Sequence, residues 1–294
     1  SIFIINYIYM KVKNCLIFGG SGQIGSHLIR KLTKNNYKVT VVTRNLHQKG
    51  YSIKTQANAG YIDIVESGIY EEEKIIKLFS KTDICINLIG ILYEDSVGNN
   101  FKNIHSYFPS ILAKLCNEYK VEQFIHLSAL GINNAKESSY AISKLEGESN
   151  IKKNFPLAVI LRPSVVYSVD DNFTTNFMTL LDKLPIFPLY YKGETKFAPI
   201  HCSDLTDIIF YTITNNLHSK IIECVGPQVL SLKEILKKLL KLIDKKRLLI
   251  PLPFLFAKLS AFIFQQFPKP LLTLDQLKLL KYDNIPSEIY KTNS

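Results

Sequence analysis

Tyr140 and Lys144 stand four residues apart in Ser139-Tyr140-Ala-Ile-Ser-Lys144, so on a helix both side chains project from one face. An ammonium beside a phenol stabilises the phenolate and lowers the tyrosine pKa. A phenol so tuned exchanges a proton with a carbonyl or alcohol near neutral pH. Ser128 ends the apolar run Phe124-Ile-His-Leu-Ser128 and would hydrogen-bond the same substrate oxygen. The spacing alone carries little weight, because Tyr7/Lys11, Tyr9/Lys13 and Tyr70/Lys74 repeat it with no other site feature nearby. Tyr140/Lys144 differs in following a strand-end serine and preceding an apolar run closed by Arg162-Pro163.

A second constellation lies upstream. The apolar run Cys15-Leu-Ile-Phe18 ends in Gly19, Gly20, Gly22 and Gly25, and Ile24, Leu28, Ile29 and Leu32 then fall on one side of a helix. Strand, glycine turn and helix in that order make a phosphate cradle. One glycine makes the tight turn, one lets the backbone approach a pyrophosphate, and one lets the helix pack close to the strand. Free N–H groups and the dipole at the helix start then favour the anion. The expected ligand is a nicotinamide dinucleotide.

The end of the second strand distinguishes the two forms of that ligand. An NAD site places Asp or Glu there to bond the ribose hydroxyls, but the segment here is Val39-Thr-Val-Val-Thr-Arg44-Asn45. A guanidinium grips a 2′-phosphate that a carboxylate would repel, so Arg44 favours NADP(H) over NAD(H). Asp63 is expected to bond the adenine amino group. Asn87 and Gly90 sit where a fourth strand meets the cofactor, the glycine letting the backbone approach the ribose.

These residues must be carried by a regular frame, and the first half of the chain alternates. Strands are expected at 12–18, 38–43, 61–65, 83–89, 123–128 and 158–162, with helices at 22–35, 71–79, 101–119 and 139–152. The strands are continuous apolar runs, as in a parallel sheet covered on both faces. The fold class is α/β, a doubly wound Rossmann-like sheet with a smaller, mostly helical C-terminal lobe. Eight prolines from Pro185 to Pro270 break up the second half, where helices remain at 204–215, 231–243 and 273–280. The expected division is 11–168 plus about 196–226 for nucleotide binding, and 169–195 plus 227–294 for the lobe.

With 47% hydrophobic residues in 294, the chain can bury a large core. The net charge of +11 is spread over helices that also carry acids, which favours anionic ligands, phospholipid or an acidic partner and gives no sign of nucleic acid. Five scattered cysteines without a CxxC indicate a reducing compartment, and the six histidines lack a ligand pattern, so no metal is expected. Residues 1–10 are apolar, too short to span a bilayer and without the marks of a signal peptide. They read as an extension, with Met10 a candidate start. Leu248–Phe267 is apolar but interrupted by Pro251, Pro253 and Lys258, which argues against a spanning helix. A buried helix is the first expectation for it, and an aromatic surface on a membrane or hydrophobic partner the second.

From about Lys11 to Ser287 the chain resembles the extended or atypical short-chain dehydrogenases. More narrowly it is similar to the nucleotide-binding accessory subunits of respiratory complex I and their alphaproteobacterial relatives. The residues that carry this are Phe18-Gly-Gly-Ser-Gly, Asn87-Leu-Ile-Gly-Ile-Leu-Tyr-Glu94, His126-Leu-Ser-Ala-Leu-Gly131, Ser139-Tyr-Ala-Ile-Ser-Lys-Leu-Glu-Gly-Glu148, Leu161-Arg-Pro-Ser-Val-Val-Tyr167 and Leu274-Asp-Gln-Leu277. The resemblance implies a tightly held NADP(H) serving structure or assembly. It places Gly19, Ser21, Gly22, Gln23, Ile24 and Gly25 at the pyrophosphate, Arg44 at the 2′-phosphate, Lys144 at the ribose, and Pro163 to Val166 at the nicotinamide amide. Two positions depart from the family pattern: Gln23 replaces an aromatic residue and Ser168 replaces a glycine.

Three readings follow: a complex I accessory or assembly protein, an active oxidoreductase or epimerase using Tyr140, and a nucleotide-dependent regulator. The family-specific segments favour the first. The expected compartment is the bacterial cytoplasm at the inner face of the membrane, with the mitochondrial matrix as the alternative.

Overall fold

Strand β1 (Asn14–Phe18) shows how the frame is built, because its side chains alternate between two cores. Cys15 and Ile17 face one side of the sheet, where they meet Leu28, Ile29 and Leu32 of helix α1 (Gln23–Lys34). Leu16 and Phe18 face the other side. The computed structural model describes residues 12–95, 98–168, 171–266, 270 and 272–293. The extension at 1–10 and the end of the 248–267 segment lie outside the described residues.

Chain order continues with β2 (Lys38–Thr43), α2 (Leu46–Lys54), β3 (Ile62–Glu66), α3 (Glu72–Phe79), β4 (Ile84–Asn87), α4 (Phe108–Glu118), β5 (Gln123–Leu127), α5 (Ser139–Asn154) and β6 (Val159–Pro163). Short β7 (Val166–Tyr167), α6 (Asn172–Lys183), β8 (Ile186–Leu189), β9 (Lys196–Phe197) and β10 (Ile200–His201) follow. The remainder is α7 (Cys202–Thr214), β11 (Lys220–Cys224), β12 (Leu230–Ser231), α8 (Leu232–Leu242), β13 (Leu248–Pro251), α9 (Phe254–Phe264), α10 (Leu274–Leu279) and β14 (Lys291–Thr292).

Eight strands form one parallel sheet in the order β3-β2-β1-β4-β5-β6-β11-β14. The order reverses between β1 and β4, and that reversal opens a crevice at the carboxyl ends of these strands. α1 and α7 cover one face, while α3, α4 and α5 cover the other. A smaller core gathers Leu181, Phe187, Leu189, Leu232 and Leu236 under α6 and α8. It is tied by the two-stranded pairs β8–β13 and β9–β12, and β7 pairs with β10.

The expected strands and helices of the first half are all present within a few residues of their bounds. The expected helix at 101–119 is split into a π-helical turn (Lys102–Tyr107) and α4. Pro109 has no N–H to return to the His105 carbonyl, so regular α-helix cannot run through. α2 was not expected, and it buries only Gly50 and Ile53, too little to leave an apolar stripe. β11 and β14 extend the sheet beyond the expected six strands. The segment around β14 covers buried charge: Ser287 donates through N and Oγ to Glu223, and the Tyr290 ring lies 4.6 Å from the Arg162 guanidinium.

The expectation of a buried helix within 248–267 is overturned. α9 turns Ala257 and Ala261 inward against Leu277, while Leu255 and Phe256 are 80% and 61% exposed, and Leu259, Phe262 and Ile263 share that outer face. Tyr190 and Tyr191 pack against the same small cluster.

Candidate functional site

The glycine turn between β1 and α1 sits at the mouth of the crevice. Gly19 has φ +81°, and a Cβ there would come within 3.0 Å of the Leu88 carbonyl carbon. A Cβ on Gly25 would lie 2.5 Å from Gly20 backbone atoms, so α1 starts flush against the loop. Gly22, by contrast, is exposed, and its missing side chain faces nothing nearer than the Gly19 carbonyl oxygen at 3.4 Å. No side chain caps α1 and no acid occupies its first turn. Its free N–H groups are therefore left for an incoming anion.

Beyond the turn lies a cleft of about 310 Å³. Of the expected residues, Gly19, Ser21, Gly22, Arg44 and Gly90 line it. Thr43, Asn45, Lys49, Ser67 and Gly68 join them, residues missed in the sequence, where their position at or near the ends of β2 and β3 is the one signal. Ile69, Ile75, Ile104 and Phe108 provide an apolar wall suited to a purine. Two cations, Arg44 and Lys49, line the cleft, and no carboxylate does. Arg44 Nη1 donates to Asn99 Oδ1 at 2.7 Å, leaving the other guanidinium N–H groups available. Glu66, at the end of β3, accepts from Leu46 N at 2.9 Å and so serves the start of α2.

Asp63 is a correction. It is exposed, lies opposite Thr40 in the middle of the strand pair, and does not line the cleft. β3 runs on to Glu66, so Ser67 and Gly68 hold the place expected of Asp63. Asn87 is fully buried and does not line the cleft either. Its Oδ1 accepts from Ile89 N at 3.1 Å and its Nδ2 lies 3.1 Å from His126 Nδ1, so it orients the loop to Gly90.

The far half of the site is built on β5 and α5. Lys144 is buried and among the described residues donates only to the Leu127 carbonyl at 3.3 Å, and its Nζ would be 3.3 Å from a Cβ on Gly90. Burial brings its pKa down to about 8, partly offset by the Glu148 carboxylate. The Tyr140 ring packs edge-on against Phe101 and His105, with centroids 5.8 and 5.2 Å away. Lys144 Nζ is 6.0 Å from the ring centre. Burial, with the Asp275 carboxylate adding to it, raises the Tyr140 phenol to about 12. Desolvation of the phenolate and the Asp275 charge both act against the acidic tyrosine expected from the spacing. Ser128 Oγ is buried without a hydrogen-bond partner.

Several unforeseen contacts fix this half. Ile91 N donates to His105 Nε2 at 3.1 Å, so His105 carries its proton on Nδ1 and donates to Ser143 Oγ at 2.9 Å. Ser143 Oγ then donates to the Tyr140 carbonyl at 2.7 Å. Burial and neighbouring Lys144 push His105 down to about 2 and His126 well below its usual value. Asp275 of α10 accepts from Ser138 Oγ at 2.7 Å, Ser139 N at 2.7 Å and Tyr140 N at 3.1 Å, seating a carboxylate on the N-terminus of α5. Arg162 and Glu148 form a buried two-point pair at 2.8 and 2.6 Å that holds α5 to β6.

Gln23 Nε2 donates to Ser168 Oγ at 2.6 Å, joining the glycine turn to the loop after β7. Ile24 packs into the core beside α1, Pro163 is buried at the end of β6, and Val166 packs partly buried against the same core. Among the described residues no group of three His, Cys, Asp or Glu side chains is placed to hold a metal ion. An open Gly22 face, a cationic acid-free cleft, unused N–H bonds on Lys144 and an orphaned Ser128 hydroxyl together fit a nicotinamide dinucleotide.

Strand order, glycine turn and the Tyr/Lys helix define a nucleotide-binding member of the extended short-chain dehydrogenase class. The chain belongs to the NAD dependent epimerase/dehydratase family, whose model matches residues 15–224. It is 26% identical over 284 residues to NADH dehydrogenase (ubiquinone) 1 alpha subcomplex subunit 9, mitochondrial, of Arabidopsis thaliana, covering 92% of this chain and 70% of the relative. The subunit of the same name from Dictyostelium discoideum is 28% identical over 223 residues, 75% of this chain and 61% of that relative. The fold is also that of UDP-glucuronic acid 4-epimerase from Bacillus cereus in complex with NAD, with TM-score 0.68, 21% identity and coverage of 81% and 87%.

Proposed function

We propose that this protein holds NADP(H) as an accessory or assembly subunit of respiratory complex I, NADH:ubiquinone oxidoreductase. The observation that carries the reading is the contrast between the two halves of the site. One half is a cationic, acid-free cleft suited to gripping an extra phosphate, and the other holds a tyrosine packed edge-on against Phe101 and His105, its ring centre 6.0 Å from the Lys144 ammonium. In this reading Gly19, Ser21, Gly22, Gln23, Ile24 and Gly25 seat the pyrophosphate, Arg44 takes the 2′-phosphate with Lys49, and Lys144 bonds the ribose. Gly90 gives the ribose room, and Pro163 to Val166 face the nicotinamide amide. When bound, the dinucleotide would supply hydride chemistry. Residues 11–168 and about 196–226 form the holding unit, and 169–195 with 227–294 form the lobe.

A second reading is favoured by Ser128, whose buried hydroxyl has no hydrogen-bond partner among the described residues, and by Tyr140 on the helix beside it. Both remain available to a substrate oxygen, as in an NAD(P)-dependent oxidoreductase or epimerase with Tyr140 as acid/base. The proposed location is the inner face of a bacterial membrane, or the matrix side of the mitochondrial inner membrane that the relatives' names favour. Attachment is peripheral, through the 248–266 segment.

Mass spectrometry of the nucleotide released from the purified chain, together with pull-down of respiratory subunits by wild type and Tyr140→Phe, tests the first reading. The expected result is NADP(H), and capture of those subunits that survives the substitution. Substrate-dependent NADPH consumption abolished by Tyr140→Phe would establish the second reading instead.

A further inference from the structure

The outer face of α9 takes no part in the nucleotide cleft. In water an amphipathic helix buries its large side chains, whereas α9 buries alanines and exposes Leu255, Phe256, Leu259, Phe262 and Ile263. The β8–β13 ribbon continues the same character. Leu248 and Ile250 are exposed two residues apart on β13, and Ile186, opposite Leu248, is exposed with them. Immediately before β13 the chain gathers Lys237, Lys241, Lys245 and Lys246 around a surface cavity of about 400 Å³, with Asp244 its one acid. Leu242, 76% exposed, stands among these lysines. Lys245 lies 3.5 Å from Asp182, and Arg247 donates to the Leu181 and Asp182 carbonyls, so among the described residues Lys237, Lys241 and Lys246 are the lining lysines without an ion pair, the last two nearest β13 in the chain.

A second copy of this chain, itself carrying +11, would be repelled by the same lysine-rich surface that attracts an anionic partner. No helix among the described residues is long and apolar enough to cross a membrane, and the 11 residues of α9 span about 16 Å. Broad apolar cover beside unpaired cations suits an anionic bilayer met in its plane. We propose that α9 and the β8–β13 ribbon lie in the interface of a membrane containing anionic phospholipid, with Lys241 and Lys246 on headgroup phosphates. This rests on the peripheral attachment stated above and adds the lipid class and the groups that recognise it.

Flotation of the full chain with vesicles of phosphatidylcholine alone, and of phosphatidylcholine mixed with phosphatidylglycerol, tests it. Binding to the mixed vesicles should be at least about tenfold stronger and should weaken with salt. Lys241→Gln and Lys246→Gln should each lower it about fivefold. The double change Phe256→Ser with Phe262→Ser should remove binding to both vesicles while leaving nucleotide affinity at its original value, which shows that the chain is folded. Equal binding to both lipids overturns the lipid class and leaves attachment standing. Absence of flotation with either lipid overturns attachment as well. A concentration-dependent dimer abolished by the phenylalanine changes places a second copy on this face and overturns the proposal.

Discussion

The side-chain amide of Gln23 donates to the hydroxyl of Ser168 at 2.6 Å, so the two positions at which the sequence resemblance led to an expectation of other residues are partners. One stands at the start of α1 and the other in the loop after β7. Together they clasp the glycine turn to the loop that follows the Pro163 and Val166 end of the site. Ser168→Ala removes the acceptor and costs about 1 kcal/mol. Release of bound nucleotide should then quicken about fivefold, as read by stopped-flow fluorescence, and Gln23→Ala should give the same change without adding to it. Additive effects in the double variant would show that the two side chains act separately.

Arg44 lines a cleft that no carboxylate enters. Arg44→Glu should weaken NADPH by at least about tenfold, because a charge-assisted pair worth about 1.5–3 kcal/mol becomes a repulsion. NADH should change far less. Calorimetry with both nucleotides decides, and equal losses would show that no 2′-phosphate meets this residue.

Lys144 carries a pKa brought down to about 8 from 10.5 by burial. Its folded value lies below its unfolded value, so the unfolded chain binds more protons between these limits. The contribution of Lys144 to the stability of the nucleotide-free protein therefore rises from pH 8 toward pH 10, while the buried thiols of Cys15, Cys116, Cys202 and Cys224, raised by burial, pull the other way, so the lysine is read from the difference between wild type and variant. Lys144→Met should stabilise the empty protein at pH 7 by up to about 3 kcal/mol while abolishing nucleotide binding, and the gain should shrink as pH approaches 10. Urea unfolding of both forms across this range checks it. A constant difference between them would mean that Lys144 is not the group responsible.

Asp275 reaches from α10 to the N-terminus of α5, and it also holds the Tyr140 phenol up. Asp275→Asn should cost about 2 kcal/mol, a fall in Tm of roughly 4–8 °C. The same change should lower the Tyr140 pKa from about 12, seen in ultraviolet titration of the phenols. A loss of stability with an unmoved titration would assign Asp275 a capping role alone.

The frame was legible because its signals are local. Apolar runs ending in glycine, and helices with one apolar side, follow from neighbours a few residues apart, and β1 to β6 appear where those runs lie. Arg44 and Gly90 reached the cleft for the same reason, each standing at a strand end. What the pattern could not carry depends on distant partners. Asp63 was placed by its residue type, but β3 continues three residues further and puts Ser67 at the crevice. Tyr140 and Lys144 do share a helix face, yet the phenol's acidity is set by Phe101, His105 and Asp275, from elsewhere in the chain. α9 misled for a similar reason. Its composition says apolar, while the side that packs on Leu277, Tyr190 and Tyr191 carries its alanines, a partner the local pattern does not name.

The pairing of β14 with β11 bears on how the chain is made. A ribosome that has reached Leu280 has already delivered seven strands, yet the β11 edge is bare, Glu223 lacks Ser287, and Arg162 lacks the cover of Tyr290. Vectorial synthesis therefore leaves the sheet open on one flank until residues 287–293 emerge. Over that interval a chaperone or a neighbouring nascent chain has its best access to an unpaired edge.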